Sequence, residues 1–229
     1  MTSNRFSDTS PEAVSYSDDE NDISADGLLA LENEMPVLAA LRNFTDRALR
    51  VNWFTELGEP LNPQALKFAQ QYIDAMGFPD TDIAILSDWA DAATAAESLD
   101  LNSESWEAEE QLRAGLLQDA LSIVSEEGLG VVLTHMASAV NEAAENCLEE
   151  ALYYGDESVD LFGKLALGAA HQACHGAALA IAGLAARAQT DNSLSLEDEI
   201  EAHPLMLRFR LFEEGRWPVS LIGRSFNIF

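Results

Sequence analysis

The chain has 229 residues and a mass of 24.9 kDa, enough for one domain with appendages and for burial of roughly 70% of its unfolded surface. Its 48% hydrophobic content, with ten Phe and four Trp, excludes a wholly disordered chain. Forty acidic against 12 basic side chains give a net charge of −28 and a pI near 4.1; only Lys67 and Lys164 are lysines, so direct nucleic-acid binding through phosphates and adsorption to an anionic membrane are both excluded.

Residues 1–27 mix Ser, Asp, Glu and Asn without a sustained apolar period and predict a disordered acidic arm, with Asp18, Asp19, Glu20 and Asp22 as its densest charge. The helical period then takes over. Pro36 suits a first turn, and Val37, Leu38, Leu41, Phe44, Ala48 and Leu49 predict a helix running to near Phe54. Asn62 as cap and Pro63 as first residue start a second, with Leu66, Ala69, Tyr72, Ile73 and Met76 inward and Gly77 as its stop. A third, capped by Asp80 or Thr81, is expected through Ile85, Leu86, Trp89, Ala92, Ala93 and Ala96.

A fourth helix is expected from about Ser103 to Glu127, its N-terminal end crowded by Glu104, Glu107, Glu109 and Glu110, which suit the positive end of the helix dipole. Gly128 and Gly130 then predict a turn into a fifth, about 131–154, and residues 155–158 separate it from a sixth, about 159–189. From Leu165 to Ala186 the sixth carries no formal charge and is rich in Gly and Ala. Its length raises the question of a membrane span. Gln172, His171 and His175 at its centre, and the lack of an aromatic or basic belt, favour a central helix buried on most sides, where small residues let backbones approach closely.

After a short acidic helix at 195–202, Leu205 to Phe212 alternates with period two around Arg208 and Arg210, and residues 219–229 also read as extended. A C-terminal β-hairpin is the expectation, with one more helix the alternative. The predicted fold is therefore all-α: a compact bundle of about six main helices (28–203), the arm (1–27) and a C-terminal β element (204–229) packed on the helices.

His171 and His175 stand one turn apart on one helical face, the spacing at which two imidazoles share a metal. Gln172 occupies the position where a zinc protease needs its Glu, so no general base is present. Completing ligands would come from His135, Glu142, Glu145, Glu149 or His203, giving a divalent transition metal bound between the fifth and sixth helices. The plainer reading makes the histidines packing residues and the glutamates a solvated helix side. No nucleophile elbow, Walker A loop, dinucleotide-binding glycine motif, CxxC pair or EF-hand loop occurs, so neither an enzyme nor an organic cofactor is expected. Cys147 and Cys174 sit on apolar faces and are expected as inert thiols; with no signal segment at the N-terminus, a cytoplasmic setting is expected.

What remains is the charge. It predicts a non-catalytic binding protein that docks a basic protein partner, such as a nucleic-acid-binding protein, in the manner of an inhibitor, immunity protein, nucleic-acid mimic or chaperone. The residues expected to carry it are Glu104, Glu107, Glu109, Glu110, Glu149 and Glu150, with Arg208, Arg210 and Trp217 of the tail as hot-spot types. The tail is alternatively expected to pack on the body with its arginines paired to carboxylates; a free hairpin edge would instead suit a homodimer. A salt-adapted housekeeping surface is the third alternative.

Overall fold

The computed structural model describes residues 35–100, 102–152, 159–189 and 195–229, so the expected arm and the 155–158 link lie outside the described residues. Among the described residues stand eight helices, α1 (Pro36–Ala48), α2 (Pro63–Ala75), α3 (Trp89–Glu97), α4 (Glu104–Ala120), α5 (Glu126–Leu152), α6 (Val159–Ala188), α7 (Leu196–Ala202) and α8 (Pro204–Glu213), and three strands, β1 (Asp82–Ile85), β2 (Pro218–Ile222) and β3 (Ser225–Ile228). The protein is mostly helical with a small C-terminal sheet, as its sequence predicts.

Helix α1 buries Val37, Leu41, Phe44 and Ala48 and ends there, short of the expected Phe54. Beyond it Val51, Trp53 and Phe54 are all buried while Leu49 is 43% exposed. One helical face cannot bury 51, 53 and 54 together, since positions two apart point about 200° apart. The chain instead turns, and Phe54 takes a positive φ of 60°. Trp53 and Phe54 thereby reach Phe212 at 5.3 and 5.8 Å between ring centroids.

Helix α2 starts as expected: the Asn62 side-chain oxygen accepts from the backbone N–H of Gln64 and Ala65 at 2.9 and 2.8 Å. Leu66 is 49% exposed rather than inward, because the buried stripe runs through Ala65, Phe68, Ala69, Tyr72 and Ile73. Residues 82–85, expected inside the third helix, form β1, and Asp88 rather than Asp80 or Thr81 caps α3 by accepting from the Asp91 N–H at 2.9 Å. The strand forms because β3 supplies a parallel partner, Asp82 opposite Ser225 through Ile85 opposite Ile228.

Helix α4 starts where expected, with Ser103 as its cap, but it ends at Ala120, and α5 begins at Glu126 with Ser125 accepting from the Gly128 N–H at 3.1 Å. Gly128 and Gly130 thus lie inside α5 and not in the connection. Helix α6 is central, packing on α1, α4, α5, α7 and α8. Its small residues Ala166, Ala170, Ala177, Ala180 and Ala182 are fully buried. By length and composition Phe162–Ala188 could also cross a membrane; 61% of its most apolar window is buried within this fold, as in a core helix.

Residues 205–212 form α8 and not the expected strand, and the hairpin lies wholly in 218–228. Pro204 opens α8 and His203 caps it, its Nδ1 accepting from the Leu205 N–H at 3.2 Å. Apart from the flanking Arg208 and Arg210, Leu205 to Phe212 are buried on every side, so burial gives no helical period to read. The sheet order is β1-β3-β2, with β2 and β3 antiparallel and Gly223 (φ 58°) in the two-residue loop between them.

The His203 cap has a pH consequence. Burial, then the charge of Arg187, pushes its imidazole down to about 4 from an ordinary 6.5. A depressed base takes up protons more readily unfolded, so its contribution is complete above pH 6.5 and is lost as pH falls toward 4. His203→Asn keeps a capping acceptor without the titration. It is expected to flatten the fall in chemical-denaturation stability between pH 6.5 and 4, and an unchanged slope would refute this role.

Candidate functional site

Folding commits several of the scarce basic groups to partners within the fold, while Arg42, Arg50, Lys67, Lys164 and Arg224 stay exposed. Arg47 donates Nε to Glu213 at 2.7 Å and Nη1 to Glu201 at 2.6 Å, while Arg210 pairs with the same two carboxylates and lies 4.5 Å over the Phe68 ring. Arg187 donates to Asp119 at 2.6 Å. Arg216, 2% exposed, donates to the backbone carbonyls of Glu56, Glu59 (2.6 Å) and Pro60 (2.8 Å) and so ties down the loop before α2.

The most enclosed of the side-chain ion pairs centres on Glu109, which is 5% exposed. Its Oε1 accepts from Arg208 at 2.6 Å and from Arg113, and its Oε2 accepts from the Tyr72 hydroxyl at 3.3 Å. Burial alone would raise the Glu109 carboxyl, but Arg208 and Arg113 hold it below the ordinary carboxylate range. Burial, reinforced by the Glu109 charge, pushes the Tyr72 hydroxyl up, so it stays a donor. Glu109 and Trp217 (1% exposed), both expected on a docking surface, are therefore interior residues. Arg208 and Arg210 are committed to internal carboxylates in the arrangement the alternative reading of the tail describes.

The outside is left acidic. On α4, Glu104, Glu107 and Glu110 are exposed, Glu110 paired to Arg113. Helix α5 turns Met136, Val140, Ala144 and Leu148 inward and exposes Glu142, Glu145, Glu149 and Glu150, with no Lys or Arg anywhere between 126 and 152.

Helices α5 and α6 are in contact, yet the metal ligands expected from that contact do not converge. His135, Glu142 and Glu145 lie on the exposed side of α5, away from α6. His171 and His175 share α6, but no group of three or more His, Cys, Asp or Glu side chains is placed to hold a metal ion among the described residues. Burial and the Arg113 charge lower the His175 imidazole, which keeps it neutral near pH 7. Cys174 is 1% exposed, Cys147 half-buried, and both are free thiols whose pKa is raised by burial.

No protein-family model, curated protein or solved structure matches the chain. Function is therefore read from its own residues. Beside the Glu109 network the structure holds a cavity of about 220 Å³ between α4, α6, α8 and β2, lined among others by Tyr72, Trp106, Glu109, Lys164, Gly168, Arg208 and Trp217. Sequence inspection missed it, since its walls come from five segments far apart in the chain. The single local signal is Lys164, one of only two lysines, one turn before a glycine.

Proposed function

We propose that this is a non-catalytic binding protein whose acidic helical exterior docks a basic protein partner, a nucleic-acid-binding protein being one fitting class. The observation that supports it is the division of charge. Arg47, Arg113, Arg187, Arg208 and Arg210 are paired within the fold, while the exposed glutamates of α5 have no basic neighbour on their own helix. A face of one sign raises encounter rates with a cationic surface by about 10–1000-fold at low salt. The Glu142, Glu145, Glu149 and Glu150 row presents that face on a helix whose opposite side is anchored in the core.

The test is affinity capture from the native cell extract at low salt, followed by calorimetry on each isolated partner. Binding is expected to weaken at least tenfold between about 50 and 500 mM salt, where the screening length shrinks several-fold. The variant with all four glutamates changed to Gln is expected to bind at least tenfold more weakly at low salt. Partners that bind equally at both salts, or bind the variant as well as the parent, would sink the proposal.

A further inference from the structure

The cavity beside Glu109 is independent of the acidic face, and the state of its polar groups indicates what it takes. Glu109 already accepts from Arg208, Arg113 and Tyr72. Ser105 donates to the Leu221 carbonyl at 3.0 Å, and Ser220 accepts from Asn227 at 3.3 Å while donating to the Ala95 carbonyl at 3.4 Å. Apart from the exposed Gln172 amide, which can both donate and accept, the polar groups left over are donors. Trp217, 1% exposed, has an indole N–H with no acceptor in the protein, an uncompensated loss for a buried donor. Lys164 has no ion-pair partner among the described residues, although the chain carries 40 acidic side chains.

The remaining wall is largely aromatic and aliphatic, with the rings of Tyr72, Trp106, Trp217 and Phe226 and the open backbone of Gly168. An ideal Cβ on Gly168 would meet nothing within 4 Å. Charge does not oppose an anion here, because Arg208 and Arg113 balance Glu109 and Glu110, and Lys164 adds a positive group. A cavity of roughly 150 Å³ holds a benzene ring. The 220 Å³ here holds one ring and a short polar group.

The geometry points to this cavity as a binding site for a small aromatic carboxylate, its acid group on Lys164 and its ring among the aromatic side chains. The site is separate from the docking face, since α5 contributes nothing to its wall.

The experiment titrates phenylacetate, 4-hydroxybenzoate and indole-3-carboxylate into the full chain, with phenylacetamide and 4-hydroxybenzamide as neutral counterparts. Calorimetry gives affinity and the Trp indole proton resonances give location. At least one acid is expected to bind with a dissociation constant below about 1 mM, its amide at least tenfold more weakly, with the Trp217 indole signal shifting. Lys164→Met, at an exposed position, is expected to weaken the acid tenfold. Gly168→Leu fills the space and is expected to abolish binding in a protein that melts no lower than the parent. No saturable binding by any acid, equal binding of acid and amide, or undiminished binding in Lys164→Met or in folded Gly168→Leu would each overturn the assignment.

Discussion

Glu109→Ala is expected to destabilise the protein by about 3–5 kcal/mol, a large part of a typical total of about 5–15. The substitution strands Arg208, whose side chain is 11% exposed, and leaves the buried Tyr72 hydroxyl without its acceptor. Most of the loss is the penalty of an uncompensated buried cation rather than the worth of the pair. Removing that cation as well should therefore restore stability: Glu109→Ala with Arg208→Met is expected to recover half or more of it. Urea unfolding of the two variants measures both effects, and a single variant within about 1 kcal/mol of the parent would contradict an enclosed network. The same carboxylate adds to acid sensitivity. Its folded pKa lies below its ordinary value of 4.5, so its contribution is complete above pH 4.5 and is lost as pH falls through the depressed value.

Two glycines on α6 should respond to the same substitution with opposite sign. An ideal Cβ on Gly183 falls 2.8 Å from the Leu116 carbonyl oxygen and 2.9 Å from its Cα, so alanine there must push α4 away from α6. Backbone cannot swing aside as a flexible side chain would, and the overpacking is expected to exceed the roughly 1 kcal/mol that α6 gains by losing a glycine. A net loss of about 2 kcal/mol is expected, a melting temperature about 4–8 °C lower. Gly168→Ala meets no neighbour and is expected to gain about 0.5–1 kcal/mol. Shifts of the same sign would mean that α4 and α6 are not in close backbone contact at Gly183.

Local signals read the helices well and long-range ones poorly. Asn62 with Pro63, Ser103, and the uncharged Gly- and Ala-rich run of α6 act within a few residues of the element they specify, and each appears where expected. Residues 82–85 failed because their strand exists only through a partner at 225–228, about which no nearby residue carries information. Residues 205–212 failed differently: Arg208 and Arg210 mimic strand alternation, yet each leaves α8 toward its own carboxylate, on Glu109 and Glu201. His203 with Pro204 was the overlooked start signal. For the sites, the acidic helix sides were visible as spacing, whereas the burial of Glu109 and Trp217 and the cavity between them depend on which elements pack together.

The parallel pairing of β1 with β3 bears on how the protein is made. Ribosomes add about 5–20 residues per second, and 140 positions separate Ile85 from Ser225, so β1 emerges roughly 7–28 s before its partner. Tyr72 and Ile73 of α2 likewise wait for Leu207, Leu211 and Phe226. During that interval the apolar length of α6 is translated and stands without α8 to cover it. In a nascent chain at this stage α6 has the earlier α1, α4 and α5 to cover it, and the chain's folding is completed late, by the segment that also supplies Arg208 to Glu109.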